Sequence, residues 1–187
     1  MDLDILQRAC ASTERFVDNI DADQLALPTP CTEWDVRALL NHVVGTLALH
    51  TAVFADALAD SGLDLSTPPD LVGDDPAKSY RATAEGFLAA CSDGDAFVRS
   101  HLTPFGKLPG PMYAGFIVMD ILVHGWDLAR ATGQDPTLEP ELAETSLRFT
   151  LENINDGNRG PQIQPAVSVA VDASPTDRLV AYLGRQP

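Results

Sequence analysis

The chain has 187 residues, enough for one domain with its own core, and 45% of them are hydrophobic, as is usual for soluble globular proteins. Its net charge is −15 and its lysines and arginines form no cluster, which speaks against binding to nucleic acid or to an anionic membrane surface. The acidic N-terminus resembles no signal peptide, and the most apolar run, residues 112–123, is too short to span a bilayer, so we expect a cytoplasmic protein.

Apolar residues recur at intervals of three and four along most of the chain, which predicts helices at residues 4–20, 35–60, 75–92, 111–133 and 139–155. The second helix is expected to open with a capping box in TEWD, in which Thr32 accepts a backbone hydrogen bond and Asp35 reaches back. Gly62 and the Pro68-Pro69 pair then break the chain before the third helix.

Two stretches lack the helical pattern. AFVRSHLTPFGKLPG, residues 96–110, is predicted to be extended or loop-like, and AVSVAVD, residues 166–172, is a candidate for one short strand, too little to build a sheet. Ser174-Pro175 is then expected to cap a short helix that ends near Leu183. We therefore predict an all-α fold, a single domain over residues 1–187 in which a four-helix bundle carries a small C-terminal extension, residues 160–187.

Structural roles are expected for the cysteines and tryptophans. Cys10, Cys31 and Cys91 are odd in number, and their spacing fits neither a zinc finger nor a disulfide framework. We expect them to be small buried hydrophobic residues or free thiols. Trp34 and Trp126 are expected to pack at helix ends rather than to line a pocket.

The predicted fourth helix carries two polar residues on an apolar face, within the stretch MDILVHGWDLARATG. Asp120 and His124 are four residues apart and therefore lie one above the other on a helix. A buried carboxylate beside a buried imidazole must be paired, neutralised or bound to a ligand. Spacing alone leaves two interpretations open, an internal ion pair and a pair of metal ligands.

His42 lies in the apolar stretch LLNHVVG of the second helix, so its side chain is expected to face the core or its edge. A lone histidine there is usually a hydrogen-bonded core residue. Together with Asp120 and His124 it would instead complete a set of two imidazoles and one carboxylate, which helical bundles direct at a shared metal ion. Such a set suits zinc with an open position, and also iron(II), nickel or manganese.

The roles of four further polar residues near His42, Asp120 and His124, or in the loop that follows the third helix, are interpreted as follows. His50 is either a fourth ligand or a surface residue, of which we favour the surface residue, and His101 is expected to be solvated in its loop. Asp127 either accepts a hydrogen bond from an imidazole N–H or pairs with Arg130, three residues further on. Arg130 faces largely away from His124 and is given no catalytic role.

Two segments of the sequence carry a resemblance to a known family. PTPCTEWDVRALLNHVVG, residues 28–45, and DILVHGWDLARATG, residues 120–133, closely resemble the mycothiol-dependent maleylpyruvate isomerase N-terminal, or DinB-like, superfamily. The chain looks most like its short, metal-binding actinobacterial members. The ending DASPTDRLVAYLGRQP is similar to theirs, so the resemblance spans nearly the whole chain.

The resemblance implies a four-helix bundle that holds a divalent metal through His42, Asp120 and His124, with zinc the first choice. The isomerase has a glutamate where this chain has Asp120, and this chain has no room for the isomerase's larger C-terminal domain, so the maleylpyruvate reaction is not transferred. The resemblance also implies mycothiol as a co-substrate and favours a homodimer.

Two classes of function follow from this reading. The first is an enzyme, a metal- and thiol-dependent transferase or isomerase that acts on small electrophilic molecules, because an open metal position would deprotonate a bound thiol. The second is a non-catalytic metal-bound module with a structural, sensing or sequestering role. The sequence assigns no catalytic residue that would separate them.

Overall fold

Regular structure in the described residues, 1–62, 69–160 and 163–187 of this computed structural model, consists mainly of six helices and one hairpin. Pro68 of the predicted chain break and residues 161–162 of the predicted extension lie outside those ranges. The helices and strands are α1 Leu3–Val17, α2 Val36–Phe54, α3 Pro76–Cys91, β1 Ser100–Thr103, β2 Gly106–Pro109, α4 Gly110–Ala131, α5 Pro140–Asn153 and α6 Pro175–Tyr182. The predicted helices are therefore present, with ends that shift by a few residues.

Side-chain caps explain where several helices begin. Asp75 accepts a hydrogen bond from the backbone of Lys78, and Ser174 accepts one from the backbone of Asp177, as expected for helices with proline in the first turn. The prediction that Thr32 caps α2 is wrong. Asp35 is the N-cap of that helix, because its own carboxylate accepts from the backbone of Ala38.

The fourth helix is the centre of the core, and it packs against α1, α2 and α5. Two interior glycines allow this close packing, since a Cβ at Gly115 would lie 2.2 Å from the ring of Phe149 and one at Gly125 would lie 2.4 Å from the hydroxyl of Thr13.

By length and composition alone, the 22-residue helix α4 could cross a membrane, contrary to the expectation from its apolar run. However, 72% of its most apolar 18-residue stretch is buried inside the protein. Such burial is typical of the core helix of a soluble protein.

The stretch between α3 and α4 is a β-hairpin rather than a plain loop. Strand β1 pairs antiparallel with β2, and Gly106 closes the turn with a φ of 100°, a conformation that favours glycine. The hydroxyl of Thr103 donates to the carbonyl of Gly106 and accepts from the backbone of Phe105. The fold is thus mostly helical with one small sheet, not strictly all-α.

The C-terminal segment is not a strand but lies against the last helix. Residues 166–172 form no regular structure, and the backbone N–H of Val167 donates to the carbonyl of Ala181 on α6. Helix α6 packs mainly on α5. The prediction of a strand at AVSVAVD is therefore wrong, because no neighbouring strand among the described residues offers this segment a partner.

Candidate metal centre

The structure brings together the three side chains that were predicted as metal ligands. Nε2 of His124 lies 3.3 Å from one carboxylate oxygen of Asp120, and Nε2 of His42 lies 4.0 Å from the other. One ligand atom from each of the three residues lies within 4.8 Å of the others. This cluster, His42, Asp120 and His124, is called the triad below.

Two packed helices position the triad. Asp120 and His124 stand one turn apart on α4, so their side chains project in the same direction, and His42 faces them from α2. The side chains of His42 and Asp120 are 30% and 31% exposed, whereas that of His124 is 11% exposed. The triad therefore sits at the edge of the core, with His124 at its inner side and a face open to solvent.

Electrostatics within the triad couple the carboxylate and the imidazole. Burial by itself would raise the pKa of Asp120, but the charge of His124 and the polar contacts with both imidazoles outweigh it and hold that pKa well below the usual range. Burial would lower the pKa of His124, and the opposite charge of Asp120 instead holds it well above the usual range. Without a metal ion, the two groups are a charged pair.

Asp127 fixes the other side of the His124 ring. One of its carboxylate oxygens accepts a hydrogen bond from Nδ1 of His124 at 3.1 Å, and the residue has no exposed surface. With a proton held at Nδ1, a neutral His124 ring keeps its lone pair at Nε2, which points into the triad. Of the two interpretations of Asp127, the contact with an imidazole is the one observed.

The arginine that pairs with Asp127 is Arg185, which is distant in the sequence. Arg185 donates to the two oxygens of Asp127 at 3.2 and 2.9 Å. Burial would raise the pKa of Asp127, but the hydrogen bonds from His124 and Arg185 lower it. Arg130, the nearby alternative, is exposed and lies over the ring of Trp126 at 5.5 Å.

A second group of ligand-type atoms adjoins the triad. Cys31, His124 and Asp127 also lie close together, with the Cys31 sulfur 3.3 Å from Asp127 and 3.9 Å from Nδ1 of His124. The guanidinium of Arg185 lies 3.5 Å from that sulfur and already supplies a positive charge there. Because Nδ1 of His124 is engaged and a cation is in place, this group is less suited to a metal ion than the triad.

The structure corrects the expectation for Trp34 and bears out that for the cysteines. Trp34 is half-buried and lines the triad, with its ring 4.6 Å from that of His42 and 6.2 Å from that of His124. It does not simply pack at a helix end. All three cysteines are free, as expected: Cys10 and Cys91 are buried in the core, and Cys31 is a half-buried thiol beside Asp127.

The other two histidines are buried, contrary to expectation. His50 is 8% exposed, not on the surface, and its Nδ1 lies 2.8 Å from the hydroxyl of Tyr113. Burial lowers the pKa of His50 to about 4. His101 has no exposed surface, and its Nε2 donates to the carbonyl of Ala96 at 2.8 Å because the hairpin folds it onto the core. Neither histidine belongs to the triad.

The chemistry of the triad fits a divalent metal ion. Two imidazole nitrogens and one carboxylate oxygen are typical zinc ligands, and three protein ligands leave a coordination position open. The hydrogen bond between His124 and Asp127 is the kind of outer contact that metal-binding histidines make. Helical spacing and apolar context in the sequence pointed to the triad and to Asp127. No local sequence pattern links Trp34, Cys31 or Arg185 to the triad.

Comparisons with known proteins show the family to which the chain belongs. A family model described as the mycothiol maleylpyruvate isomerase N-terminal domain matches residues 6–129. Two uncharacterised proteins from two strains of Mycobacterium tuberculosis are each 35% identical over 182 residues, which cover 96% of this chain and 94% of the relative. No solved structure matches the chain. The matched region contains the triad and Asp127 but ends before Arg185.

Proposed function

The chain belongs to the mycothiol maleylpyruvate isomerase N-terminal domain family, and from this premise we propose that it is a DinB-like, four-helix metal-binding protein. We propose further that it uses a low-molecular-weight thiol, mycothiol by the family's name, to act on small electrophilic molecules as a transferase or isomerase. The observation that carries this proposal is the triad, whose three ligand-type atoms lie within 4.8 Å of one another beside solvent.

His42, Asp120 and His124 would hold the metal ion, with zinc as the first candidate and nickel, iron or manganese as alternatives. A divalent ion in such a site leaves one position open and lowers the pKa of a thiol that occupies it. The partly exposed side chains of His42 and Asp120 mark the side from which a thiol and its reaction partner would enter.

The surrounding residues would order the site and limit its contact with water. Asp127 holds Nδ1 of His124, so the imidazole keeps one orientation toward the other two ligands. Trp34 covers one side of the His42 ring and forms an apolar wall at the entrance. A metal ion held by the triad would supply a bound thiol in its more nucleophilic, deprotonated form, and the open side would admit the electrophilic molecule from solvent. We assign no residue as a general acid or base.

The alternative, a non-catalytic module in which the ion ties the helices together, would be favoured by a closed shell of protein ligands. His50 was the one candidate for a fourth protein ligand, although a surface position was favoured for it. Its Nδ1 is engaged by the hydroxyl of Tyr113, and it stands outside the triad. This placement favours an open site and therefore the enzyme.

A spectroscopic titration of cobalt-substituted protein tests the proposal. Adding mycothiol, or a small surrogate thiol, should produce a sulfur-to-metal charge-transfer band at saturating thiol. Cys31→Ser should keep the band, which would show that the added thiol and not the nearby protein sulfur is the source. A cobalt spectrum that does not change under saturating thiol would support the non-catalytic alternative.

Assembly and location belong to the same proposal. A homodimer and a cytoplasmic location are expected from the family resemblance and the composition. Light scattering on the purified protein would test the homodimer, since a molar mass near 20.0 kDa would correspond to a monomer.

A further inference from the structure

We propose that Arg185 is a positioning residue, through which the C-terminal segment holds Asp127 and thereby orients His124 in the metal centre. This inference rests on the proposed function for the metal, but the orientation of His124 can be tested without a metal ion. Arg185 lies outside residues 6–129, the part of the chain that the family model matches. It would extend the site to a segment that the family match does not include.

The contact between Arg185 and Asp127 has the geometry of a fork. Nε of Arg185 lies 3.2 Å from one carboxylate oxygen of Asp127, and Nη2 lies 2.9 Å from the other. Two parallel hydrogen bonds of this kind fix the plane of the carboxylate as well as neutralising its charge. The Arg185 side chain is 11% exposed and Asp127 has no exposed side-chain surface, so water competes little for either group.

The carboxylate of Asp127 that Arg185 holds also contacts His124, a member of the triad. Oδ2 of Asp127 accepts from both Nη2 of Arg185 and Nδ1 of His124. If the carboxylate turned, its hydrogen bond with Nδ1 would bend or break. The imidazole ring of His124 would then be free to rotate about the Cβ–Cγ bond. The orientation of the Nε2 lone pair therefore depends on Arg185, although Arg185 does not reach the triad itself.

Local backbone geometry aims Arg185 at this position. Gly184 follows α6 with a φ of 87°, a left-handed conformation that turns the chain back, and the N–H of Arg185 donates to the carbonyl of Val180. A Cβ at Gly184 would lie 2.4 Å from Cβ of Gln164, so the turn is also held by packing. Arg159 donates to the carbonyl of Tyr182 at 2.8 Å and fixes the last turn of the helix.

A purely structural role is the competing explanation, in which Arg185 only neutralises a buried carboxylate and anchors the C-terminus. The two explanations differ for Arg185→Lys, which keeps the positive charge but loses the planar fork. A structural role predicts that a folded Arg185→Lys protein has a normal metal centre. A positioning role predicts that it does not.

The test compares Arg185→Lys and Arg185→Gln with Arg178→Gln, a control on the preceding helix α6 whose arginine is 43% exposed and pairs with Glu144 at 3.6 Å. Cobalt(II) affinity is measured by competition with a chromophoric chelator, and thermal unfolding identifies the variants that are folded. We expect both Arg185 variants to bind cobalt about 10–100-fold more weakly than the wild type and the control. In an Asp127→Asn background, Arg185→Lys should add no further loss, because Arg185 acts through Asp127.

A second measurement uses the metal-free protein. The Nδ1 proton of His124 should give a slowly exchanging signal in ¹⁵N-edited NMR spectra of the wild type and of Arg178→Gln. The signal should be lost or broadened in Arg185→Lys, which retains the charge and is the variant expected to fold. A folded Arg185→Lys protein with an unchanged His124 signal would overturn the positioning role. Failure of the wild type to bind cobalt while this signal behaves as expected would overturn the proposed metal function alone.

Discussion

The indole of Trp34 packs against the imidazole of His42 with 4.6 Å between ring centroids and 33° between ring planes. Trp34 precedes α2, whereas His42 lies within it, so the loop folds back over the helix that it leads into. The His42 ring therefore has an aromatic neighbour on one side and Asp120 on another. This contact places one of the two tryptophans of the chain directly beside the triad.

Fluorescence of Trp34 should report a metal ion in the triad. Binding of copper(II), which quenches nearby indoles and binds nitrogen and oxygen ligands tightly, is expected to reduce the tryptophan emission. Most of that quenching should disappear in Trp34→Phe and persist in Trp126→Phe, because Trp126 is buried and contacts Arg130 instead. Equal quenching in the wild type and Trp34→Phe would place the ion away from the triad.

Loss of any one member of the triad should remove most of the bound metal. Elemental analysis of His42→Ala, Asp120→Ala and His124→Ala should each show low occupancy, because two remaining ligands hold a divalent ion weakly. Under the simple ion-pair interpretation, His42→Ala would behave independently of the other two. Full occupancy in folded His42→Ala would therefore contradict the triad.

Controls for this series come from the two histidines outside the triad. His50→Asn keeps a polar group near Tyr113, and His101→Gln keeps a donor near the carbonyl of Ala96, so both replacements respect the buried hydrogen bonds. Both variants should retain metal at the wild-type level. Loss of metal in His50→Asn without loss of the fold would assign His50 to the ligand set.

Local patterns explain which parts of the fold the sequence predicted. Helical periodicity and capping residues act over a few positions, so the helices and the one-turn spacing of Asp120 and His124 were readable from the chain. The hairpin was missed because its turn, Thr103 to Gly106, lies in a stretch with proline at its centre and little alternation. Once the hairpin forms, it carries His101 into the core, which no local pattern indicates.

Contacts between distant residues explain what the sequence left open in the site. Asp127 has Arg130 one turn away, and helical spacing made that pair as reasonable as any other. Its actual partner, Arg185, is 58 positions away and is brought near by the turn at Gly184. His50 likewise meets Tyr113 across two helices, 63 positions apart. Such pairs depend on how the helices pack, which periodicity does not specify.

Cysteine reactivity should separate Cys31 from the other two thiols. Cys10 and Cys91 are 2% and 1% exposed, and burial raises the pKa of each to about 12, so they should not react with a thiol reagent in the folded protein. Cys31 is half-buried and within reach of reagent. Labelling with a chromogenic disulfide should modify one thiol per folded chain and three after denaturation. Rapid modification of a folded Cys31→Ser protein would show that the core opens.

The free energy of unfolding of the metal-free protein should fall as the pH drops from about 6.5 to about 4, because His50 stays neutral in the folded state. Its pKa is lowered from 6.5 to about 4 by burial, so in this range the unfolded chain binds a proton that the folded chain does not. Converted at about 1.4 kcal/mol per pKa unit, the full effect is about 3 kcal/mol.

The shifted groups of the metal centre add little to the slope in this pH range. His124 has a raised pKa, so its stabilising contribution is already complete below 6.5 and adds no slope there. Asp120 and Asp127 have lowered pKa values, and their contributions are lost only below the ordinary carboxylate range. Urea unfolding in the presence of a chelator, at several pH values between 7 and 4, should therefore give a flatter curve for His50→Asn than for the wild type. Parallel curves for the two proteins would mean that His50 takes up its proton in the folded state, and that its burial does not keep it neutral.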